Sequence, residues 1–151
     1  MHRLGVTVSG DTLQVVHLDT SQTKPILINQ FTWKLQSGDV VDAYHGMHER
    51  VRDYVANHGV CEVIIKASAV GQSKPTLAHL HSAELRGVVS VGAKAGGATT
   101  RLVQKALISR TFGDRKADQY VQDDGFWQEA LDGTLTKGRR EAALLVLSQE
   151  R

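Results

Sequence analysis

The dipeptide Gly10-Asp11 separates two apolar segments of strand length, Leu4 to Ser9 and Thr12 to Leu18. Glycine adopts positive φ at little cost, so a two-residue connection of this kind is typical of a tight β-hairpin. A third segment, Ile26 to Leu35, alternates apolar and polar residues and begins after Pro25, as expected for a strand with one buried face. The chain is therefore predicted to open with an antiparallel meander of three strands.

After residue 39 the apolar spacing changes from two residues to three or four, which indicates helices alternating with further strands. The predicted elements are a helix that starts at Val40 and ends near Asn57-His-Gly59, a buried strand from Val60 to Ile65, a helix from Pro75 that breaks at the glycine-rich segment Gly92 to Gly97, a strand from Thr99 to Ser109, a polar helix from Asp114 to Leu131 interrupted or shortened at Gly125, and a closing helix from Lys137 to Leu147. This β-β-β-α-β-α-β-α-α order predicts an α/β fold with a mixed sheet and helices on both faces.

The 151 residues, of which 41% are apolar, suffice for one domain over residues 1–151. No apolar run is long enough to span a membrane and the first residues do not resemble a signal peptide, so a cytoplasmic location is expected. The single cysteine excludes an internal disulfide. The net charge is only +2, but from Arg86 to Arg140 ten Lys or Arg accompany six Asp or Glu. Such an excess can form a phosphate-facing surface if the fold gathers it on one side.

Four segments resemble the RuvC-type Holliday junction resolvases of the RNase H-like superfamily. They are Leu4-Gly-Val-Thr-Val-Ser-Gly10 in the first strand, Val63-Ile-Ile-Lys-Ala-Ser68 in the fourth, Ala83-Glu-Leu-Arg-Gly-Val-Val89 in the following helix, and Glu141-Ala-Ala-Leu-Leu-Val-Leu147 in the last helix. A little-characterised bacterial family of small RuvC-like proteins opens with a similar strand. The resemblance implies an RNase H-like mixed sheet over the whole chain.

The resemblance also implies a catalytic site in which carboxylates hold two divalent cations about 4 Å apart. Carried over residue by residue, the acidic positions correspond to Thr7, Lys66, Gly138 and Glu141, of which only Glu141 is acidic. A lysine about 4 Å from a cation adds a repulsion of roughly 4 kcal/mol per unit charge at an effective dielectric constant near 20. The chain is therefore interpreted as a degenerate resolvase-type domain without a metal site; Mg²⁺ or Mn²⁺ would bind only if other acids, such as Asp11, Asp19 or Glu62, had replaced the missing ones. Glu141 could equally be a solvated residue paired with Lys137.

Three functions remain open from the sequence. The first is binding of DNA or RNA through a basic cleft, with Lys66, Arg101, Lys105, Arg110, Arg115, Lys116, Lys137, Arg139 and Arg140 as the candidate contacts. The second is a protein-interaction adaptor or inhibitor on the same scaffold, and a homodimer through the Pro75 to Val91 helix is also expected because resolvases pair through comparable helices. The third is a divalent-metal nuclease with rearranged acids. The pairs His45/His48 and His79/His81 are not accompanied by cysteines or acids at zinc-ligand spacing, and no membrane partner is expected.

Overall fold

The computed structural model describes residues 1–69, 71, 74–113 and 115–150. Its centre is a five-stranded sheet in the order β3-β2-β1-β4-β5. The strands are β1 (His2–Ser9), β2 (Thr12–Asp19), β3 (Ile26–Lys34), β4 (Val60–Lys66) and β5 (Thr99–Val103). β1 pairs antiparallel with β2, and β2 with β3, whereas β4 runs parallel to both β1 and β5. The predicted antiparallel meander followed by parallel strands is confirmed.

Helices cover both faces of this sheet. They are α1 (Val40–Asn57), α2 (Leu77–Ala95), α3 (Lys105–Phe112), α4 (Ala117–Gln122), α5 (Asp124–Ala130) and α6 (Arg140–Leu147), the last preceded by a 3₁₀ turn at Lys137–Arg139. α1 and α2 share one apolar cluster with Leu4, Val6 and Val63, on one face. α6, with α3 to α5 around it, packs on Val16 and Ile64 on the opposite face. Among the described residues, no helix combines the length and apolarity needed to cross a bilayer.

The predicted fifth strand, Thr99 to Ser109, is wrong in its second half. β5 ends at Val103, and α3 begins at Lys105. Val103 is paired with Lys66, the last residue of β4, so the edge strand has no neighbour to pair with beyond this point. The chain then satisfies its backbone groups within a helix, which buries Ile108.

The predicted helix from Asp114 to Leu131 is divided into α4 and α5. Its predicted start at Asp114 lies outside the described residues. The interruption falls at Asp123 rather than at Gly125: Asp123 has an extended backbone, and its carboxylate accepts a hydrogen bond from Phe126 N–H. Aspartate at this position caps a new helix start, because it satisfies an N–H that lacks a partner within the helix.

The predicted helix break does fall within the segment Gly92 to Gly97, but at its end rather than at Gly92. α2 continues to Ala95, and Gly92 is buried against α1. A Cβ at this position would lie 2.9 Å from the backbone oxygen of His48, and one at Gly96 would lie 2.6 Å from that of Arg52. Gly92 and Gly96 therefore permit close packing of α2 on α1, and Gly96 and Gly97 form the turn after the helix.

Candidate functional site

Thr7 and Lys66 lie on the sheet face that α6 covers. Successive residues of a strand point to opposite faces, and Ile64, two residues before Lys66, packs in the cluster with α6. The parallel register pairs Gly5 with Ile64 and Val6 with Ile65. Continued by one residue, it sets Thr7 beside Lys66 at the carboxyl ends of β1 and β4.

Glu141 reaches this point because α6 lies directly on β1. A Cβ added to Gly5 would lie 1.8 Å from the backbone oxygen of Ala142, so only glycine permits this approach. Glu141, in the first turn of α6, then accepts a hydrogen bond from Lys66, with 2.6 Å between Nζ and Oε1. Both side chains are about three-quarters buried, at 24% and 23% exposure. The structure thus brings Thr7, Lys66 and Glu141 to the same place, although 75 residues separate the last two.

A second lysine approaches the other oxygen of Glu141. Lys105 Nζ lies 3.8 Å from Glu141 Oε2 and 2.8 Å from Asp118 Oδ1. The hydrogen bond to Asp118, and then the charge of Glu141, raise the pKa of Lys105 above its ordinary value. We call Lys66, Glu141, Lys105 and Asp118 the lysine–carboxylate cluster; its two ammonium groups balance its two carboxylates. Glu141 is paired with these lysines rather than with Lys137.

The residues at this position do not fit a pair of divalent cations. Such cations need several oxygen ligands, and of Thr7, Lys66, Gly138 and Glu141 only the last supplies a carboxylate, which two ammonium groups already face. The space for a further ligand exists, because a Cβ at Gly138 would meet no atom within 4 Å. Across the described part of the chain, no group of three or more His, Cys, Asp or Glu side chains could hold a metal ion.

The alternative acids are engaged elsewhere. Asp11 lies 3.8 Å from Lys34 Nζ, and Asp19 accepts hydrogen bonds from Ser21. Glu62 is buried between Arg3 and Arg101, at 3.2 Å and 2.7 Å. Each of these three carboxylates therefore has partners of its own, and none of those partners is in contact with Glu141.

Besides Lys66 and Lys105, the seven other candidate basic residues divide into two groups. Four have internal partners: Arg101 contacts Glu62 and Gln149, Arg115 contacts Asp123, Arg139 donates to Thr32, and Arg140 is buried, where it donates to Val121 O and pairs with Asp124. Arg110, Lys116 and Lys137 are exposed and form no ion pair within the described residues. They lie on α3, at the start of α4 and in the 3₁₀ turn, all on the α6 side of the sheet.

Sequence reasoning missed the role of Arg86, which is on α2. Its guanidinium donates to Lys66 O from Nε at 3.0 Å, to Ser68 Oγ from Nη1 at 2.9 Å and to Val8 O from Nη2 at 3.2 Å. It therefore ties the ends of β1 and β4 together from the face opposite Glu141. A sequence signal for Arg86 was its place directly after Leu85, one of the apolar positions of the predicted helix.

No protein-family profile and no curated protein matches this sequence. Solved structures do match. Thermus thermophilus RuvC aligns with a TM-score of 0.74 over 99% of this chain and 93% of its own, at 13% identity. The T. thermophilus RuvC in complex with a Holliday junction substrate aligns with a TM-score of 0.72 over 99% of this chain and 92% of its own, also at 13% identity. The yeast mitochondrial Holliday junction resolvase Ydc2 aligns with 0.60 over 97% of this chain and 76% of its own, at 8% identity. At these identities the likeness concerns the fold, and it confirms the prediction: the chain has the RNase H-like fold in the form found in RuvC-type Holliday junction resolvases.

Proposed function

We propose that this chain is a catalytically degenerate RuvC-like domain that binds nucleic acid, with branched DNA as its first candidate ligand, and does not cut it. The observation that carries the proposal is the 2.6 Å ion pair between Lys66 and Glu141, at the place where the resemblance puts the metal-binding acids. The solved RuvC complex holds a Holliday junction, which supports DNA as the ligand to test.

The chemistry of an ammonium group supports binding without cleavage. In two-metal nucleases one cation activates water and the other stabilises the leaving oxygen. Lys66 and Lys105 place ammonium groups on either side of Glu141. The carboxylates of Glu141 and Asp118 balance their charge, so a phosphate would be attracted mainly by the exposed cations outside this cluster. An ammonium group has no open coordination position and cannot lower the pKa of a water as a bound cation does.

The exposed cations on the α6 side provide the remaining surface. Lys105 is 40% exposed, and Arg110, Lys116 and Lys137 are exposed without ion pairs in the described part of the chain. Each phosphate that such a group neutralises releases counterions from DNA, so binding should weaken as salt concentration rises.

Neutralising these exposed cations is expected to weaken DNA binding. The variant Arg110→Gln/Lys116→Gln/Lys137→Gln should bind a four-way junction at least about tenfold less tightly, and the magnitude of its log–log salt slope should fall by about 0.9 for each lost phosphate contact. Fluorescence anisotropy at several salt concentrations measures both quantities. Arg50→Gln/Arg52→Gln/Lys94→Gln removes the same charge from α1 and α2, on the opposite side of the sheet, and should bind almost as the parent does. Equal losses in both variants, or no binding to junction, duplex or single-stranded DNA at low salt, would contradict the proposal.

The same samples test the nuclease alternative. The parent protein should leave labelled junctions intact with Mg²⁺ or Mn²⁺. Cleavage that disappears in Glu141→Ala would show an active site built on Glu141 and would overturn the degenerate interpretation. Cleavage unchanged by that substitution would point to a contaminant.

An exposed stripe on α2 supports a homodimer as the assembly. Leu77, Leu80, Glu84, Gly87 and Val91 recur every three or four residues along one face, and the three apolar ones are 67%, 52% and 61% exposed. This spacing suits the packing of one helix against another. A Cβ at Gly87 would meet nothing, so a second backbone can approach closely there. A shallow apolar groove of about 490 Å³ that includes Val41, Val88 and Val91 continues the surface.

Leu80→Glu is expected to prevent this dimer, because it replaces an exposed apolar side chain of the stripe with a second charge near Glu84. The dimer dissociation constant should rise at least about a hundredfold, since removing a buried leucine and burying a charge each cost more than about 1.4 kcal/mol. Sedimentation velocity over a range of concentrations measures the change. Leu107→Glu, at a comparably exposed leucine on α3, is the matched control and should not alter the assembly. A monomeric parent would instead favour a different protein partner for this stripe, as in the adaptor alternative.

A further inference from the structure

A cavity of about 340 Å³ lies on the other side of Lys66, at the carboxyl ends of β1 and β4. We call it the sheet-end pocket. From this edge β1 turns back into β2, while β4 leads towards α2, so the two connections leave in different directions. In α/β folds, ligands commonly bind outside the carboxyl ends of parallel strands at such a point. The polar members of its lining are Ser9, Lys66, Ser68, His79, Ser82 and Arg86.

The charges around the sheet-end pocket have one sign. None of its described lining residues is Asp or Glu. Lys66 is balanced by Glu141, but Arg86 forms no ion pair with any residue that the structure describes. A partly buried charge without a partner is unfavourable, and burial lowers the pKa of the Arg86 guanidinium. An anion in the pocket would supply the missing counter-charge.

Hydrogen-bond donors remain available for such an anion. A guanidinium has five N–H groups, and three of those of Arg86 are used, by Lys66 O, Ser68 Oγ and Val8 O. His79 accepts a hydrogen bond at Nδ1 from the backbone N–H of Thr76, which leaves its Nε2–H as a donor in the neutral ring. Planar pairs of N–H groups on arginine match the oxygens of a phosphate.

We propose that the sheet-end pocket binds a phosphate group, held by Arg86 and His79, of a nucleotide or a nucleic-acid strand. Its volume is near the lower limit for ligand pockets, about 300 Å³, which suits a single nucleotide unit. This inference rests on the proposed function for the source of the phosphate, although the site itself can be tested with inorganic phosphate alone. Phosphate bound here would lie beside the lysine–carboxylate cluster, because Lys66 belongs to both. A nucleic-acid strand could then contact the pocket and the cluster together.

The test is a titration of the ¹⁵N-labelled full chain with inorganic phosphate at constant ionic strength. Saturable shifts are expected at Arg86 Nε–Hε and at the backbone amides of Ser68 and Ala78. The variant Ala78→Asp should weaken this binding at least about tenfold, because it adds a negative charge to the lining. An aspartate in the first turn of α2 also favours the helix, and the contacts of Arg86 are kept. Ala106→Asp, at an exposed site in the first turn of α3 and outside the lining, is the matched control and should bind as the parent does.

If the Arg86→Gln variant folds, it should show no phosphate-induced shifts. If it does not fold, Ala78→Asp provides the test. Shifts confined to Arg110, Lys116 and Lys137, or equal effects of Ala78→Asp and Ala106→Asp, would overturn the proposal. Oligonucleotides with and without a 5′-phosphate distinguish the sources: stronger competition by the phosphorylated strand assigns a terminal phosphate, and equal competition assigns a backbone phosphate. If the parent binds junctions, and Ala78→Asp changes neither phosphate binding nor junction binding, only the pocket inference fails. If phosphate binds in the pocket and no nucleic acid does, only the proposed function fails.

Discussion

The variant Thr7→Asp/Lys66→Glu/Gly138→Asp is expected to gain a Mn²⁺ site beside Glu141. Thr7 and Lys66 are neighbours on the α6 face of the sheet, and Gly138 has room for a side chain. Four carboxylates would then face one another without a counter-charge, apart from Lys105, whose closer partner is Asp118. Repulsion should lower the free energy of unfolding by about 2–4 kcal/mol in the absence of metal.

Mn²⁺ at about one hundred times its dissociation constant should return about 2.7 kcal/mol of stability to this variant. Urea unfolding with and without the metal measures the difference, and the parent protein should show none. The neutral variant Thr7→Asn/Lys66→Gln/Gly138→Asn is the control. A folded acidic variant that does not respond to Mn²⁺ would mean that these positions do not surround Glu141 as the fold requires. An equal response in the neutral variant would place the metal elsewhere.

Stability is expected to fall by roughly 3 kcal/mol between pH 6.5 and pH 4 because of His17. This side chain is 1% exposed, with Nε2 3.0 Å from His2 Nδ1 and Nδ1 2.9 Å from the Tyr54 hydroxyl. Burial, and then the charges of His2 and His58, lower the pKa of His17 from 6.5 to about 4, although Asp19 opposes this. Between pH 6.5 and pH 4, His17 binds a proton in the unfolded chain but stays neutral in the folded chain. The contribution of His17 to stability is therefore fully present above pH 6.5 and is lost as the pH falls towards 4.

The variant His17→Gln isolates this effect, since a neutral side chain cannot bind the proton in either state. Urea unfolding across this pH range should show a shallower dependence in His17→Gln than in the parent. His45→Gln, at a histidine whose side chain is 72% exposed, should keep the parent's dependence. Identical pH curves for the parent and His17→Gln would contradict the assignment.

Local patterns predicted most of the strands and both long helices. The hairpin at Gly10 has φ +59°, and α1 ends before Gly59 with φ +60°, as glycine at these positions indicates. The part that failed, from Thr99 to Leu131, contains short helices whose apolar spacing also fits a strand or one longer helix. In this segment the secondary structure depends on where the pairing of β5 with β4 ends and on the helix cap at Asp123. Apolar periodicity indicates neither of these.

The candidate site shows the same division. The resemblance placed Thr7, Lys66 and Glu141 together from the order of elements, and of these residues only Glu141 is acidic. The contact of Lys105 with Glu141, the position of Arg86 behind Lys66 and the burial of His17 were absent from that reasoning. Each of them joins residues that are distant in the chain, as Arg86 and Val8 are at 78 residues apart.

The sequence by itself therefore determined the order of the elements up to β5, their amphipathic faces and the residue types at the four positions that resemble the resolvase acids, because these follow from residue type and from spacing within one element. Only the tertiary structure decided that Lys66 and Lys105 enclose Glu141 and that Arg86 closes a pocket without a counter-ion. The physical reason is that those contacts depend on strand register and on how closely α6 approaches Gly5, which are set when distant segments pack together.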